Sequence, residues 1–503
     1  MIAKAHSATL AGIEALPIVI EVDLQGGSPM FILVGLPDKA VEESRERVRT
    51  AMRNSDLDFP FGKIVCNLAP GDIRKEGPSL DLPIAAALLA ASRQIPPDEL
   101  QGTLIVGELG LDGRLRSVDG AVSIAIMAAA HGFSRLIVPS GNAEEAAIAP
   151  SVEVYGIERL IDLVELLNGS SAFSPCKLDL SDEGRRPRYE VDFADVKGQR
   201  HAIRALEIAA AGGHNALMVG PPGSGKTMLA RRLPTILPPL DIEEAIEVTR
   251  IYSASGNKAG RSGLLWERPF RSPHHTSSYA AIVGGGKNPK PGEVSLAHLG
   301  VLFMDEMAEF DRAVLEALRQ PLEDGVITVA RVQASLTFPA GCMLVGAMNP
   351  CPCGFKGYPE AQCVGSPATC GRYAARISGP LLDRIDLHLH VPRLKPDELL
   401  GMDPGEPSEP IRQRVLAARR RQTDRLGPGR TNSKMTPKEI REKIVLSDES
   451  RDFLRMVAAK MNLSARVFDR VLKVGRTIAD LVNADEVERA HLAEAVQYRE
   501  QGF

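Results

Sequence analysis

The 503-residue chain has no uninterrupted apolar run of membrane-spanning length, although 44% of its residues are hydrophobic. A spanning helix needs about 20 consecutive apolar residues, so a membrane-embedded class is excluded. A secretory leader is not legible either: Glu14 and Pro17 break the first apolar stretch, and no small-residue cleavage pattern follows. The expectation is a cytoplasmic protein with no membrane partner. An excess of one charge sign is also missing. A net charge of −4 gives no global attraction to nucleic acid, so any such binding must use local basic features. Cysteine is scarce, at seven residues, and four of them fall between 351 and 370. In a reducing cytosol that clustering suggests metal before disulfide.

The length calls for two to four domains. The most informative stretch is 216–227. Ala216–Val219 is a short apolar run of buried-strand type. Gly220, Pro221, Pro222, Gly223, Ser224, Gly225, Lys226 and Thr227 then fit G-x-x-x-x-G-K-[ST], and a helix pattern follows. Strand, glycine loop and helix start together form a phosphate-binding loop, in which backbone N–H groups turn inward around a polyphosphate. Lys226 is expected at the β/γ-phosphates and Thr227 on Mg²⁺. Downstream, Gly300-Val-Leu-Phe-Met304 ends in Asp305 and Glu306. A buried strand that delivers two acids is the second half of a nucleotide site: Asp305 for Mg²⁺ through water, Glu306 to polarise the attacking water. Met343–Met348 is another buried strand, and Asn349 at its end is placed to sense the γ-phosphate. The implied cofactors are ATP and Mg²⁺.

Residues 1–170 read as an independent α/β domain, with strands at 17–23, 31–34, 63–68, 104–109 and 135–138 and helices at 40–54, 82–92 and 121–131. Glu76-Gly-Pro-Ser79, Gly107-Glu-Leu-Gly110 and Val138-Pro-Ser-Gly-Asn142 resemble the proteolytic domain of Lon proteases, where the serine is the nucleophile and a later helix supplies a lysine base. The corresponding helix here, 120–130, has no lysine, so Ser79 is read as a helix N-cap and not as a nucleophile. Residues 171–190 have linker composition. A second domain follows over 191–395 and a helical region over 396–503.

Several features keep two readings. Cys351, Cys353, Cys363 and Cys370, spaced C-x-C-x9-C-x6-C, can close a Zn²⁺ site or remain free loop thiols. The arginine-rich helix 411–425 is either a solvated face or a nucleic-acid contact. His274 and His275 would point apart on a strand. Val326–Phe338 reads as a hairpin turning at 332–335.

The motif string Gly220–Thr227, Arg268–Thr276, Gly292–His298, Phe303–Glu306, Asn349–Gly354 and Ser378–Asp386 resembles the Mg-chelatase-like AAA+ family. With the Lon-like leader, the resemblance narrows to its ComM/YifB group. It implies an α/β chain: a Lon-protease-like (ribosomal S5 domain 2-like) N-terminal domain, a P-loop AAA+ core with a parallel sheet, and a C-terminal helical lid. It further implies a homo-oligomeric ring, a hexamer, with ATP between subunits and DNA as substrate. Arg384 matches the arginine finger and Arg466 the sensor-2 arginine. The segment 326–338 matches a pore-facing hairpin, which makes Arg331, with Lys287 and Lys290 of the glycine-rich insert, the candidate DNA contacts. A protein-remodelling ATPase and a metal-chelatase motor subunit remain the competing classes.

Overall fold

The computed structural model describes residues 2–178, 187, 189–256, 263–286, 289–330, 335–357, 363–394, 404–461 and 464–499. Lys287, Arg331, most of the expected turn at 332–335 and most of the connection after 394 lie outside the described residues. The chain divides into two compact units, Met1–Arg185 with Asp241–Trp266, and Arg186–Leu240 with Glu267–Phe503. This differs from the sequential partition at 170 and 191, because 241–266 groups with the first unit.

The first unit is built on a seven-stranded mixed sheet. Its order is Met30–Val34, Lys63–Ala69, Glu14–Gln25, Ile2–Ala11, Thr103–Ile105, Arg135–Pro139, Glu153–Ile157. Ile2–Ala11 and Glu14–Gln25 form a long antiparallel hairpin, and Lys63–Ala69 pairs antiparallel to the latter. The remaining neighbours are parallel. Ile18, Ile20 and Val22 alternate inward, the period-2 pattern of a half-covered strand. Against this sheet lies Asp81–Ala91, buried along its whole length because it carries no polar residue after its first. Asp81 itself is neutralised by Arg47, which donates from Nε at 2.6 Å and Nη2 at 2.9 Å.

Three expectations for this unit change. Ser79 is not the cap of the apolar helix. It lies inside a 3₁₀ turn, Pro78–Leu80, and Leu80 holds the cap position. The Ser79 carbonyl accepts from Gly107 N at 2.9 Å. That bond takes Gly107 out of the ladder, just after Val106 N has donated to Ile137 O, and the expected 104–109 strand ends at Ile105. Part of the expected linker is also structured: Cys176 N donates to Val154 O at 2.7 Å. The inserted helix Ile242–Ser255 opens with a capping box between Asp241 and Glu244. It docks on Ala121–Ala130, with Arg250 donating to Ile13 O and Ser123 Oγ, and Gly120 N donating to Ser253 O.

The second unit has a five-stranded sheet, in the order Phe270–Arg271, Val301–Met304, Met343–Met348, Ala216–Val219, Leu387–His390. Every neighbouring pair is parallel. Side chains alternate between two cores: Ala216, Met218, Val301 and Phe303 enter one, and Leu217, Val219, Leu302 and Met304 the other. Burial on both faces explains why these strands read as continuous apolar runs.

The C-terminal helices share the first of these cores through Val471, Val474, Ile478 and Leu492. The helix Ala465–Leu481 meets the sheet at the N-terminal ends of its strands. Arg470 reaches Ile385 O at 3.5 Å, and Thr477 Oγ1 lies 2.9 Å from Nε2 of His214, two residues before Ala216. His214 in turn binds Asp386 at 2.9 Å. Burial opposes ionisation of Asp386, yet the His214 bond and the Arg470 and Arg499 charges hold it at about 2.

On the arginine-rich helix, Ser408–Leu426, several cations have partners within the unit. Arg414 binds Glu207 and Glu406, Arg419 donates to Ala210 O, Arg421 binds Asn483 and Asp485, and Arg425 binds Asp480. These four cations are engaged within the unit, while Arg420 is exposed. No helix among the described residues is long and apolar enough to cross a membrane.

Candidate active site

Three adjacent parallel strands end side by side, and the candidate nucleotide residues follow directly from them. Ala216–Val219 leads into Gly220, Val301–Met304 into Asp305 and Glu306, and Met343–Met348 into Asn349. The carboxyl edge of a parallel sheet is where ligands of open α/β folds bind. Gly223 and Gly225 adopt φ of 75° and 90°, which lets the loop curl before the helix Lys226–Ile236. Gly220 must lack a side chain, since a Cβ there would stand 2.2 Å from Val391 O.

Lys226 is buried. Its Nζ donates to Gly220 O at 2.8 Å and Pro221 O at 3.0 Å, and lies 3.4 Å from Asn349 Oδ1. Burial pushes its pKa down, while the nearby Asp305 and Glu306 charges oppose that. An ammonium ion held by carbonyl oxygens in a glycine loop suits phosphate oxygens in the same place. Thr227 Oγ1 donates to Asp305 Oδ2 at 2.6 Å, so a hydroxyl and a carboxylate converge as hard oxygen donors fit for Mg²⁺. Ser224 completes the loop as a buried residue within 3.4 Å of the lysine. The donor set therefore fits a magnesium–nucleotide polyphosphate.

Glu306 takes a left-handed conformation, φ 50°, and its N–H is held by Asp305 Oδ1 at 2.9 Å. A non-glycine residue there is strained, and such strain persists only where its surroundings fix it. Its carboxylate is 58% exposed and lies 3.3 Å from Nδ1 of His275. Nothing in the spacing of the two residues signals this partnership. His274 and His275 do not point apart; they sit in a turn with ring centroids 4.2 Å apart.

Arg384 and Arg466 are elsewhere. Asn215, at the start of the Ala216–Val219 strand, bonds the Arg384 carbonyl at 2.9 Å, which puts Arg384 at the edge opposite the phosphate loop. The intervening four-residue strand spans about 13 Å at ~3.3 Å per residue. The Arg384 guanidinium binds Glu323 and Pro380 O, and its buried Nε has no hydrogen-bond partner among the described residues. The Arg384 bond, with the Arg466 charge behind it, holds the Glu323 carboxyl below its usual range. Arg466 opens the helix Ala465–Leu481, one turn before Arg470, which reaches Ile385 O beside Arg384.

The four cysteines do come together. Cys351 Sγ is 3.2 Å from Cys353 and 3.7 Å from Cys363, Cys353 is 3.5 Å from Cys363, and Cys363 is 3.7 Å from Cys370. The Phe355 backbone N–H and the Cys351 thiol pull Cys353 down to about 6. Lys290 lies in a two-residue ladder, Gly284–Gly285 against Lys290–Pro291.

Over 502 residues the chain is 44% identical to competence protein ComM of Haemophilus influenzae, covering 99% of this chain and 97% of that one. It belongs to the ComM/YifB family of Mg-chelatase-like ATPases. YifB of Salmonella typhimurium is likewise 44% identical over 501 residues, 99% of this chain and 97% of that protein. Three family profiles match in succession: subunit ChlI of Mg-chelatase over 20–142, magnesium chelatase subunit ChlI over 192–399, and the ChlI C-terminal region over 405–499. A shorter likeness joins this ComM/YifB chain to the DNA repair protein RadA of Haemophilus influenzae, 31% identical over 144 residues, 28% of this chain and 29% of RadA.

Proposed function

We propose that this protein is an AAA+ motor that hydrolyses ATP between the subunits of a ring, a hexamer, and uses the energy to move DNA branches during recombination or transformation. The observation that carries the reading is the convergence of Lys226, Thr227, Asp305, Glu306 and Asn349 at one edge of a parallel sheet. MgATP, when bound, supplies the phosphoanhydride that is cleaved. Lys226 exchanges its carbonyl contacts for phosphate oxygens. Thr227 and Asp305 hold the metal. Glu306 accepts a proton from the attacking water, and Asn349 orients it toward the terminal phosphate.

Arg384 and Arg466 support the ring. They lie across the sheet from their own phosphate loop, so they serve a nucleotide only when a second copy presents one. The N-terminal unit, read as Lon-like, acts as a binding module. Its helix Ala121–Ala130 offers no lysine to Ser79. Casein incubated with the protein and ATP is expected to stay intact; cleavage that vanishes in Ser79→Ala would overturn this.

The DNA reading draws on the names of two relatives, a competence protein and a DNA repair protein. A net charge of −4 leaves the contact to a few cations, of which Lys287, Lys290 and Arg331 are proposed. Lysine and arginine on phosphates give sequence-independent, salt-sensitive binding. Forked DNA is expected to stimulate the ATPase, less so as salt rises. Lys287→Ala with Arg331→Ala is expected to keep basal turnover and lose that stimulation. Full stimulation in the double variant would remove these cations from the contact, and stimulation by a protein partner in place of DNA would favour a chelatase-type motor.

A further inference from the structure

We propose that Cys351, Cys353, Cys363 and Cys370 hold one zinc ion, and that this knuckle braces the phosphate loop, so that metal loading sets nucleotide affinity. A tetrahedral thiolate site with Zn–S of about 2.3 Å has sulfur–sulfur edges of about 3.8 Å. The four closest pairs here, at 3.2, 3.5, 3.7 and 3.7 Å, approach those edges. They are far longer than the ~2.0 Å of a disulfide, and all four cysteines are free. Cys351, Cys363 and Cys370 bring their sulfurs within 4.8 Å of one another. Four sulfurs at these separations suit a single thiophilic divalent ion of tetrahedral preference.

The knuckle is continuous with the nucleotide edge. Asn349 stands two residues before Cys351, and its Oδ1 is 3.4 Å from Lys226 Nζ. Gly220 N donates to Met348 O at 3.2 Å, tying the loop's first residue to the strand that feeds the knuckle. Gly354, at φ 85° and closing a turn onto Cys351 O, packs so tightly on the loop that a Cβ there would lie 2.4 Å from Pro222 Cδ. Cys351 is fully buried and Cys370 is 3% exposed. An ion would cross-link Cys351 and Cys353, beside Gly354, to Cys363 and Cys370. With one, Gly354 becomes a rigid backstop for the loop that Lys226 terminates. Metal binding of this kind orders the segment that supplies the ligands.

The coupling rests on the nucleotide reading above, and the test separates the two. Full-length protein purified without chelators is analysed for metals and titrated with a fluorescent ATP analogue in excess Mg²⁺. The expected result is about one zinc per chain, by the four-ligand rule for structural sites. Stripping the zinc and then removing the chelator is expected to weaken the analogue by about tenfold or more, the scale on which supporting contacts of a site act. Adding zinc back restores affinity in the wild type but not in Cys363→Ser with Cys370→Ser. Thermal unfolding of each sample reports whether the variant is folded; if it is not, the strip-and-reload cycle on the wild type decides. Protein without zinc overturns the metal site, and iron in its place corrects the ion. Zinc present with unchanged analogue affinity after stripping overturns the brace. Zinc-loaded protein that binds no analogue at all refutes the nucleotide reading and leaves the metal site standing.

Discussion

Glu306→Gln is expected to bind ATP as tightly as the wild type and to turn over at roughly 10⁻²–10⁻⁴ of its rate, the usual worth of a positioned general base. The amide keeps the shape of the side chain and can still hydrogen-bond His275, 3.3 Å away in the native chain. What it loses is the ability to take a proton from water. Lys226→Ala is the complementary variant and is expected to lose binding itself, because the only ammonium held inside the loop is gone. Equilibrium binding of labelled ATP and steady-state phosphate release separate the two. Wild-type turnover in Glu306→Gln would remove Glu306 from the catalytic role.

Arg384→Ala is expected to bind ATP and lose hydrolysis by roughly 10³–10⁵, the range for arginine fingers. Arg384 stands a full strand length from the loop of its own chain, paired with Glu323 and Pro380 O. An Arg384 that acts on ATP would therefore need another subunit's loop. Mixing Arg384→Ala with Lys226→Ala chains is expected to restore part of the activity, since some interfaces then combine an intact loop with an intact arginine. Mixtures no more active than either variant alone would place Arg384 outside the nucleotide site.

The phosphate loop and the acidic strand end could be read from sequence because each is local: a few consecutive residues carry both the backbone demand and the chemistry. The order of the parallel sheet, by contrast, brings Asn349 to Lys226 across 123 positions, and only its polar character at a strand end hinted at that. His275 gave no hint, since its partner Glu306 is reached through a turn between separate elements. The strand Ile2–Ala11 was invisible for a different reason. Its buried positions include Ala3, Ala5, Ser7 and Ala8, small residues without strand preference. The arginines of Ser408–Leu426 looked available because sequence counts charges and not partners; Glu207, Asp480 and Asp485 lie far along the chain. The cysteines clustered in sequence and in space, so spacing alone found them.

The helix Ile242–Ser255 bears on how the protein is made. It belongs to the first unit, where Ile246, Leu264 and Trp266 pack against the Ala121–Ala130 layer, yet it is encoded after the phosphate loop. A growing chain therefore delivers the Ala216–Val219 strand and its loop before the N-terminal unit has received its last piece of core. At ~5–20 residues per second the wait between residue 170 and residue 266 is on the order of ten seconds. During that interval the face of Ala121–Ala130 that later takes the inserted helix is open to water. A fragment ending at residue 170 would keep that face open permanently, whereas a nick in the 171–190 stretch of the finished chain leaves the helix, and the Arg250 grip on Glu14, in place.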